Sequence, residues 1–475
     1  MRSLRRAFVV GILMLAVCVP ATRAFDDGKP SPTWKAGTAT VTITPERPLT
    51  LLGYTSRKGP FEAVSDELSA RALALEDAQG RRAVIVAADL VAFQSAVVTD
   101  AVTRRIAERT GLGPERLIFN ASHTHTGPVV SLDPNLKLNV AHPDMTPEQA
   151  EATIAYTRRL QDQLVDLVER ALVDMKPARL SRAFGRTKVP TSRRLPKPEG
   201  VVMSPNPAAP VDDSVPVLRV DSPEGKTLAV VFGCSCHAVA AGFQNAISAD
   251  YPGYARAVIE ARHPGATALF LAGCGGDANP EPRGTIEQAR THGEALGREV
   301  CRVLDGPLAP VAGPLRVAYV QVDLPLQRLS REQIGGYRDR PNFQAWQARH
   351  MLEVLDAGGR LPTHYTAPVA VWRFGKDLTL AALPGEPVAE YATLMRKALG
   401  PEGLWISGYN NDCFGYLPSA KVVAEGGHEA IGVTLWAWSR NLNSMVGFFE
   451  PRVQDVVVDA VRRLASQAAA DAEAK

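Results

Sequence analysis

Residues 83–91, Ala-Val-Ile-Val-Ala-Ala-Asp-Leu-Val, are apolar at nearly every position. The run is too short to cross a membrane, and it reads as a strand buried on both faces. Residues 266–272 repeat the pattern. Between them, residues 98–109 place Val98, Val102 and Ile106 on one helical face and stop at Gly111 and Pro114. The apolar Leu117-Ile118-Phe119 follows as another strand. This β-α-β order predicts an α/β fold: a mixed, largely parallel sheet flanked by helices.

The rest of the chain fits that frame. Residues 38–45 alternate as a strand, and 68–76 pair with 83–91 across the turn Asp77-Ala-Gln-Gly80. Thr146-Pro-Glu-Gln149 carries the capping signals of a helix start, followed by an apolar stripe through Leu160, Leu164, Leu167, Val168 and Leu172. Residues 186–215 are rich in Pro and poor in apolar residues, so a long loop is expected there, with Arg193-Arg194 inside it. Residues 215–220 and 227–236 flank Ser222-Pro-Glu-Gly225 as a hairpin. Helices are expected over 254–262, 285–304 and 388–399, strands over 315–322, 370–380 and 405–407, and a C-terminal amphipathic helix from Pro451. No internal repeat or linker divides the chain, which reads as one domain over residues 25–475.

Arg2, Arg5 and Arg6 precede an apolar stretch, residues 7–19, and Ala21-Thr22-Arg23-Ala24 offers a cleavage site. Residues 1–24 therefore read as a signal peptide, and the mature protein is expected to be exported, periplasmic or secreted. The net charge of +3 and the lack of a later Lys/Arg block argue against nucleic-acid binding. Cys234, Cys236, Cys274, Cys301 and Cys413 remain after cleavage, an odd set that is no disulfide framework for a chain of this size.

The chemistry-bearing residues share one kind of position. In Asn120-Ala-Ser-His-Thr-His-Thr-Gly-Pro128 two histidines follow an apolar strand, and in an extended segment His123 and His125 face the same side. His237 follows the strand 227–236, Asp277 lies in the Gly-rich turn Gly273-Cys-Gly-Gly-Asp-Ala-Asn-Pro280, and Glu386 closes Leu383-Pro-Gly-Glu386. Strand C-termini form the binding edge of open α/β sheets, so these residues could meet there. Two or three His with a carboxylate is the composition of a catalytic zinc site.

These motifs resemble those of the neutral ceramidases, zinc-dependent amidases that cleave N-acylsphingosine. Ser122-His-Thr-His-Thr-Gly-Pro128 is similar to that family's first signature, and residues 232–237 to the segment of its second histidine. Leu383-Pro-Gly-Glu386 resembles its Pro-Gly-Glu segment, and Asn411-Asp-Cys-Phe-Gly-Tyr416 its Asn-rich stretch ending in a metal-binding tyrosine. Residues 38–54 and Gly276-Asp277 fit as well, so the likeness runs through most of the mature chain in the same order. It implies one zinc per chain held by His123, His237, Glu386 and Tyr416. It places His125 as a catalytic neighbour, Arg193 opposite the developing oxyanion, and Asp277 as a residue that orients the site. The implied function is hydrolysis of an amide bond in a small or lipid-like N-acyl substrate by metal-activated water, with room for a peripheral membrane contact.

The sequence departs from the family pattern in three places. Asn279 stands where the family's Gly-Asp-x-Ser-Pro turn has serine, which leaves no hydroxyl nucleophile there and sets ceramide itself apart from the expectation. Residues 133–144 and 186–215 differ from the family's lipid-binding surface. The chain ends soon after the helix from Pro451, so it reads as a short, divergent bacterial relative without the C-terminal β-sandwich domain. The alternative is a differently specific esterase or lactonase, or a non-catalytic binding protein, on the same fold. A dinuclear hydrolase of the metallo-β-lactamase type would need Asp-His after the His pair, where this chain has Thr126-Gly127-Pro128.

Overall fold

The computed structural model describes residues 33–54, 57, 59–134, 145–338, 343–433 and 447–470. The expected signal peptide, residues 1–24, lies outside them. Among the described residues a nine-stranded sheet runs in the order Thr267–Ala272, Thr227–Cys234, Ser214–Asp221, Lys176–Arg186, Trp34–Thr42, Ser69–Asp77, Arg82–Ala88 and Leu117–Ala121, with Ala309–Val311 added on Lys176–Arg186. A four-stranded sheet orders Leu315–Pro325, His364–Phe374, Leu378–Ala382 and Leu404–Ser407.

The period-2 alternation of the strands builds the layers. Ala70, Ala72, Ala74, Val84 and Val86 face the helices Asp100–Thr110 and Pro147–Val173, against Val102, Ile106, Leu160 and Leu164. The intervening Leu73, Leu75 and Ile85 face the smaller sheet, against Trp372, Phe374, Leu378 and Leu380. Helices Asp250–Arg262 and Ile286–Leu304 cover the other half of the large sheet. The outer face of the small sheet, Val369, Val371 and Ile406, packs on Val457, Val461 and Leu464 of the C-terminal helix Val453–Ala470. The order of layers is helix, sheet, sheet, helix. Each large side chain buried in these interfaces contributes about 1.5–3 kcal/mol.

The α/β class and the mixed sheet are as the sequence implies, but most neighbouring strands are antiparallel. Parallel pairing joins Arg82–Ala88 to Leu117–Ala121, Thr227–Cys234 to Thr267–Ala272, and Leu378–Ala382 to Leu404–Ser407. Apolar residues on both faces of a strand report cover on both faces, and here a second sheet supplies the cover that parallel sheets take from crossover helices. Residues 186–215 are also not a plain loop. Pro190–Ser192 pairs with Ala278–Pro280, and Arg194–Lys197 forms a hairpin with Gly200–Met203. The expected strand 370–380 is the hairpin His364–Phe374 and Leu378–Ala382, turning at Gly375 with φ +58°. Among the described residues no helix is long and apolar enough to cross a membrane.

Candidate metal centre

The three parallel pairs end at one place, and Asn120 ties their ends together. Its Nδ2 donates to Gly408 O at 2.8 Å and Asn410 Oδ1 at 3.0 Å, while its Oδ1 accepts from Ala272 N at 2.9 Å. Asn120 is fully buried, so these bonds have no competition from water. The segments beyond the strands then interlock. His125 N donates to Ala238 O, His237 N to Ala278 O, and Gly276 N to Pro387 O. Glu386 and Tyr416 face each other as a parallel backbone pair.

His123 and His125 do converge, though not along an extended segment. The strand stops at Ala121, and His123 takes the left-handed region with φ +62°. That turn brings His125 Nε2 to 3.1 Å from His123 Nε2. One ring nitrogen from each of His123, His125 and His237 lies within 4.8 Å of the others, a group that could hold a metal ion.

The tautomers sharpen this. His123 Nδ1 is 2.6 Å from Val91 O, and His237 Nδ1 is 2.8 Å from Gly275 O. A carbonyl can only accept, so each Nδ1 carries a proton and each ring turns its Nε2 inward. Both Nε2 atoms point at the same oxygen, Glu386 Oε2, at 3.2 Å and 3.1 Å. Burial, and then the charge of Arg193, holds the His237 pKa at about 3, so this imidazole is neutral at pH 7. The unprotonated Nε2 of His237 and the Glu386 oxygen thus confront one another in a dry site. His237 Nε2 and Glu386 Oε2 are buried without a hydrogen-bond partner. A cation is what such a donor set fits.

The remaining expected residues are close, with roles shaped by their partners. Tyr416 stacks on His237, ring centroids 6.4 Å apart. Its oxygen accepts from Arg193 Nη2 at 2.8 Å. Arg193 is buried, and its other bonds go to Glu429 Oε1 at 2.8 Å, Gly276 O at 2.9 Å and Asn279 Oδ1 at 3.2 Å. Four of the five guanidinium N–H groups are therefore engaged within the protein. Asn279, at the family's serine position, is one of these partners. Asp277 Oδ1 accepts from Ala389 N at 2.7 Å, fixing the start of helix Glu390–Leu399, and its carboxyl lines a cavity of about 330 Å³ with Arg194, Thr393 and Arg396. Burial raises its pKa to about 6.

Sequence reading missed several residues of this centre. Asn120 lies three residues before His123, and nothing local marks it as a tie between strand ends. Glu429 bridges Arg193 and Arg194, and His428 lies edge-on to Tyr416 at 5.2 Å. Tyr409 packs on His123 at 4.6 Å. Tyr54 packs on His125 at 5.4 Å. Glycines around His428 mark only a turn, so no local pattern could have placed it.

No protein-family model matches the sequence, and no curated protein matches it. Among solved structures the chain is similar to neutral ceramidase from Pseudomonas aeruginosa, with a TM-score of 0.67 and 20% identity, covering 94% of this chain and 75% of that one. It is also similar to a ceramidase complexed with C2, with a TM-score of 0.69 and 19% identity, covering 93% of this chain and 76% of that one. The chain thus has the ceramidase fold that its motifs implied.

Proposed function

We propose that this chain is an exported, zinc-dependent hydrolase that cleaves the amide bond of an N-acylated, lipid-like substrate, with residues 25–475 as its catalytic domain. The observation that carries the reading is the meeting of His123 Nε2, His237 Nε2 and Glu386 Oε2 at 3.1–3.2 Å with both imidazole protons turned outward. The fold shared with ceramidases supports the choice of an amide.

His123, His237, Glu386 and Tyr416 would hold the ion. Zinc, when bound, polarises a carbonyl and makes water acidic near neutral pH. The protein's own groups do the rest. Gly275 and Val91 carbonyls lock the two ligand imidazoles in the tautomer that presents Nε2. Arg193 donates to the Tyr416 oxygen and so fixes where the phenol stands. Burial, then His123 and His237, hold the His125 pKa well below its ordinary value. Its Nδ1 is buried without a partner and can accept a proton released beside it. Asp277 positions the site by anchoring Ala389, two residues beyond Pro387, whose carbonyl accepts from Gly276.

The test is a panel of N-acyl amides, covering ceramides, acyl amino acids and acyl sugars, offered to folded protein loaded with zinc. Release of fatty acid from at least one, abolished by chelation, is expected. Zinc-loaded, folded protein that cleaves no amide in the panel would overturn the reading.

A further inference from the structure

The cation accounts for the orphaned acceptors of the site, but it leaves the Tyr409 hydroxyl, a donor beside the His123 ring, without a partner. Tyr409 is 1% exposed, and its hydroxyl is buried without a hydrogen-bond partner. Its ring lies 4.6 Å from the His123 ring, tilted by 42°, and 6.3 Å from the His237 ring, edge-on. The backbone is committed to this placement: Tyr409 takes φ +57°, a region side chains rarely adopt, its N–H donates to Gly385 O at 2.9 Å, and its carbonyl accepts from Ala121 N at 3.4 Å. The strained residue thus joins the segment of His123 to the segment of Glu386. Left-handed backbone at non-glycine residues and unpaired buried hydroxyls both cost stability, and both persist where function holds them. Phenylalanine would fill the same space without the orphan.

A metal ion satisfies lone pairs and leaves an O–H proton unsatisfied. That proton needs an acceptor, and the acceptor must come from outside the chain. Arg193, the other candidate donor, has four N–H groups already engaged. We propose that Tyr409 is a further catalytic residue, whose hydroxyl donates a hydrogen bond to the carbonyl oxygen of the scissile amide as negative charge develops on it. This rests on the hydrolase reading above. No covalent bond to Tyr409 forms, and its proton stays on the phenol throughout.

The experiment compares wild type and Tyr409→Phe in kcat, KM, zinc content and melting temperature, on whichever amide of the panel the wild type cleaves. The expected result is a loss of about a hundredfold or more in kcat. KM should stay within a few-fold, zinc content should be unchanged, and the melting temperature should be equal or higher. An unchanged kcat, a loss of zinc, or a kcat that falls together with the melting temperature would each overturn the proposal. Failure of the hydrolase reading shows separately, because then the wild type itself cleaves nothing.

Discussion

His237 Nε2 lies 3.1 Å from Glu386 Oε2 while the ring's other nitrogen is held by the Gly275 carbonyl at 2.8 Å. Two acceptors at that distance repel unless a cation lies between them. Purified protein should carry about one zinc per chain by elemental analysis, and His123→Ala and His237→Ala should lose it. Zinc at a thousandfold excess over its Kd should stabilise stripped wild type by about 4 kcal/mol and leave His237→Ala unmoved. Glu386→Gln gives a sharper contrast. It replaces a lone pair with an N–H able to meet an imidazole nitrogen, so its metal-free form should melt at or above metal-free wild type. A lower melting temperature for the stripped glutamine variant would argue against the lone-pair conflict.

Asn120 makes a second prediction, about the frame rather than the ion. Asn120→Ala removes the donor to Gly408 O and Asn410 Oδ1 and the acceptor for Ala272 N, all in a buried place. Each group left unpaired there costs about 1–3 kcal/mol. Urea unfolding should show a loss of roughly 2–5 kcal/mol with weaker zinc binding, although Asn120 is no ligand. Asn120→Asp should be worse at pH 7, because it adds a buried charge and removes the donor. A loss under about 0.5 kcal/mol, the size of a neutral surface change, would refute the tie.

What could be read in the sequence follows from range. The capping box of Thr146 and Gln149 and the hairpin across Ser222-Pro-Glu-Gly225 are local patterns, and both are present in the structure. The strand-end positions of His123, His237 and Glu386 came from punctuation by Gly and Pro, and the three residues do meet. The convergence of His123 and His125 was expected for another reason, since the extended segment is in fact a left-handed turn. Strand direction is not legible in the apolar runs, because apolarity on both faces does not distinguish a covering sheet from covering helices. Arg193 sits 236 residues from Glu429, so only the folded chain reveals the ion pair that buries it.

That ion pair predicts a pH dependence. Burial alone would raise the Glu429 carboxyl, but Arg193, then His428 and Arg194, override it and hold its pKa at about 2. The folded value is below the unfolded one, so the stabilisation is complete above about 4.5 and is lost as pH falls toward 2. The gap corresponds to about 3 kcal/mol. Glu429→Gln should therefore be less stable than wild type by a few kcal/mol at pH 7, since it leaves buried Arg193 without a carboxylate and Arg194 with Glu425 alone. The difference should narrow below pH 4.5 in denaturant melts taken at successive pH values. A difference that stays constant down to pH 2.5 would rule out the carboxylate as its source.

The last prediction removes no polar group at all. Gly53 has φ +108°, and a Cβ built on it would lie 2.5 Å from Cγ and 2.6 Å from Nδ1 of His125. Backbone strain at such a residue costs on the order of 1–3 kcal/mol, and the clash must also be relieved. His125 has little freedom to retreat: its N–H is bonded to Ala238 O at 3.1 Å, its carbonyl to Arg57 Nη1 at 2.9 Å, and the His123 ring stands 4.7 Å away. The imidazole must therefore rotate or move against its neighbours. Gly53→Ala should lower kcat by about tenfold or more, as displacement of a proton-transfer group does. Zinc content should stay near wild type, because His123, His237 and Glu386 are not in the path of the new methyl group. Loss of zinc would place His125 among the ligands instead, making the three-histidine set the true metal site. An unchanged kcat would remove His125 from the reaction.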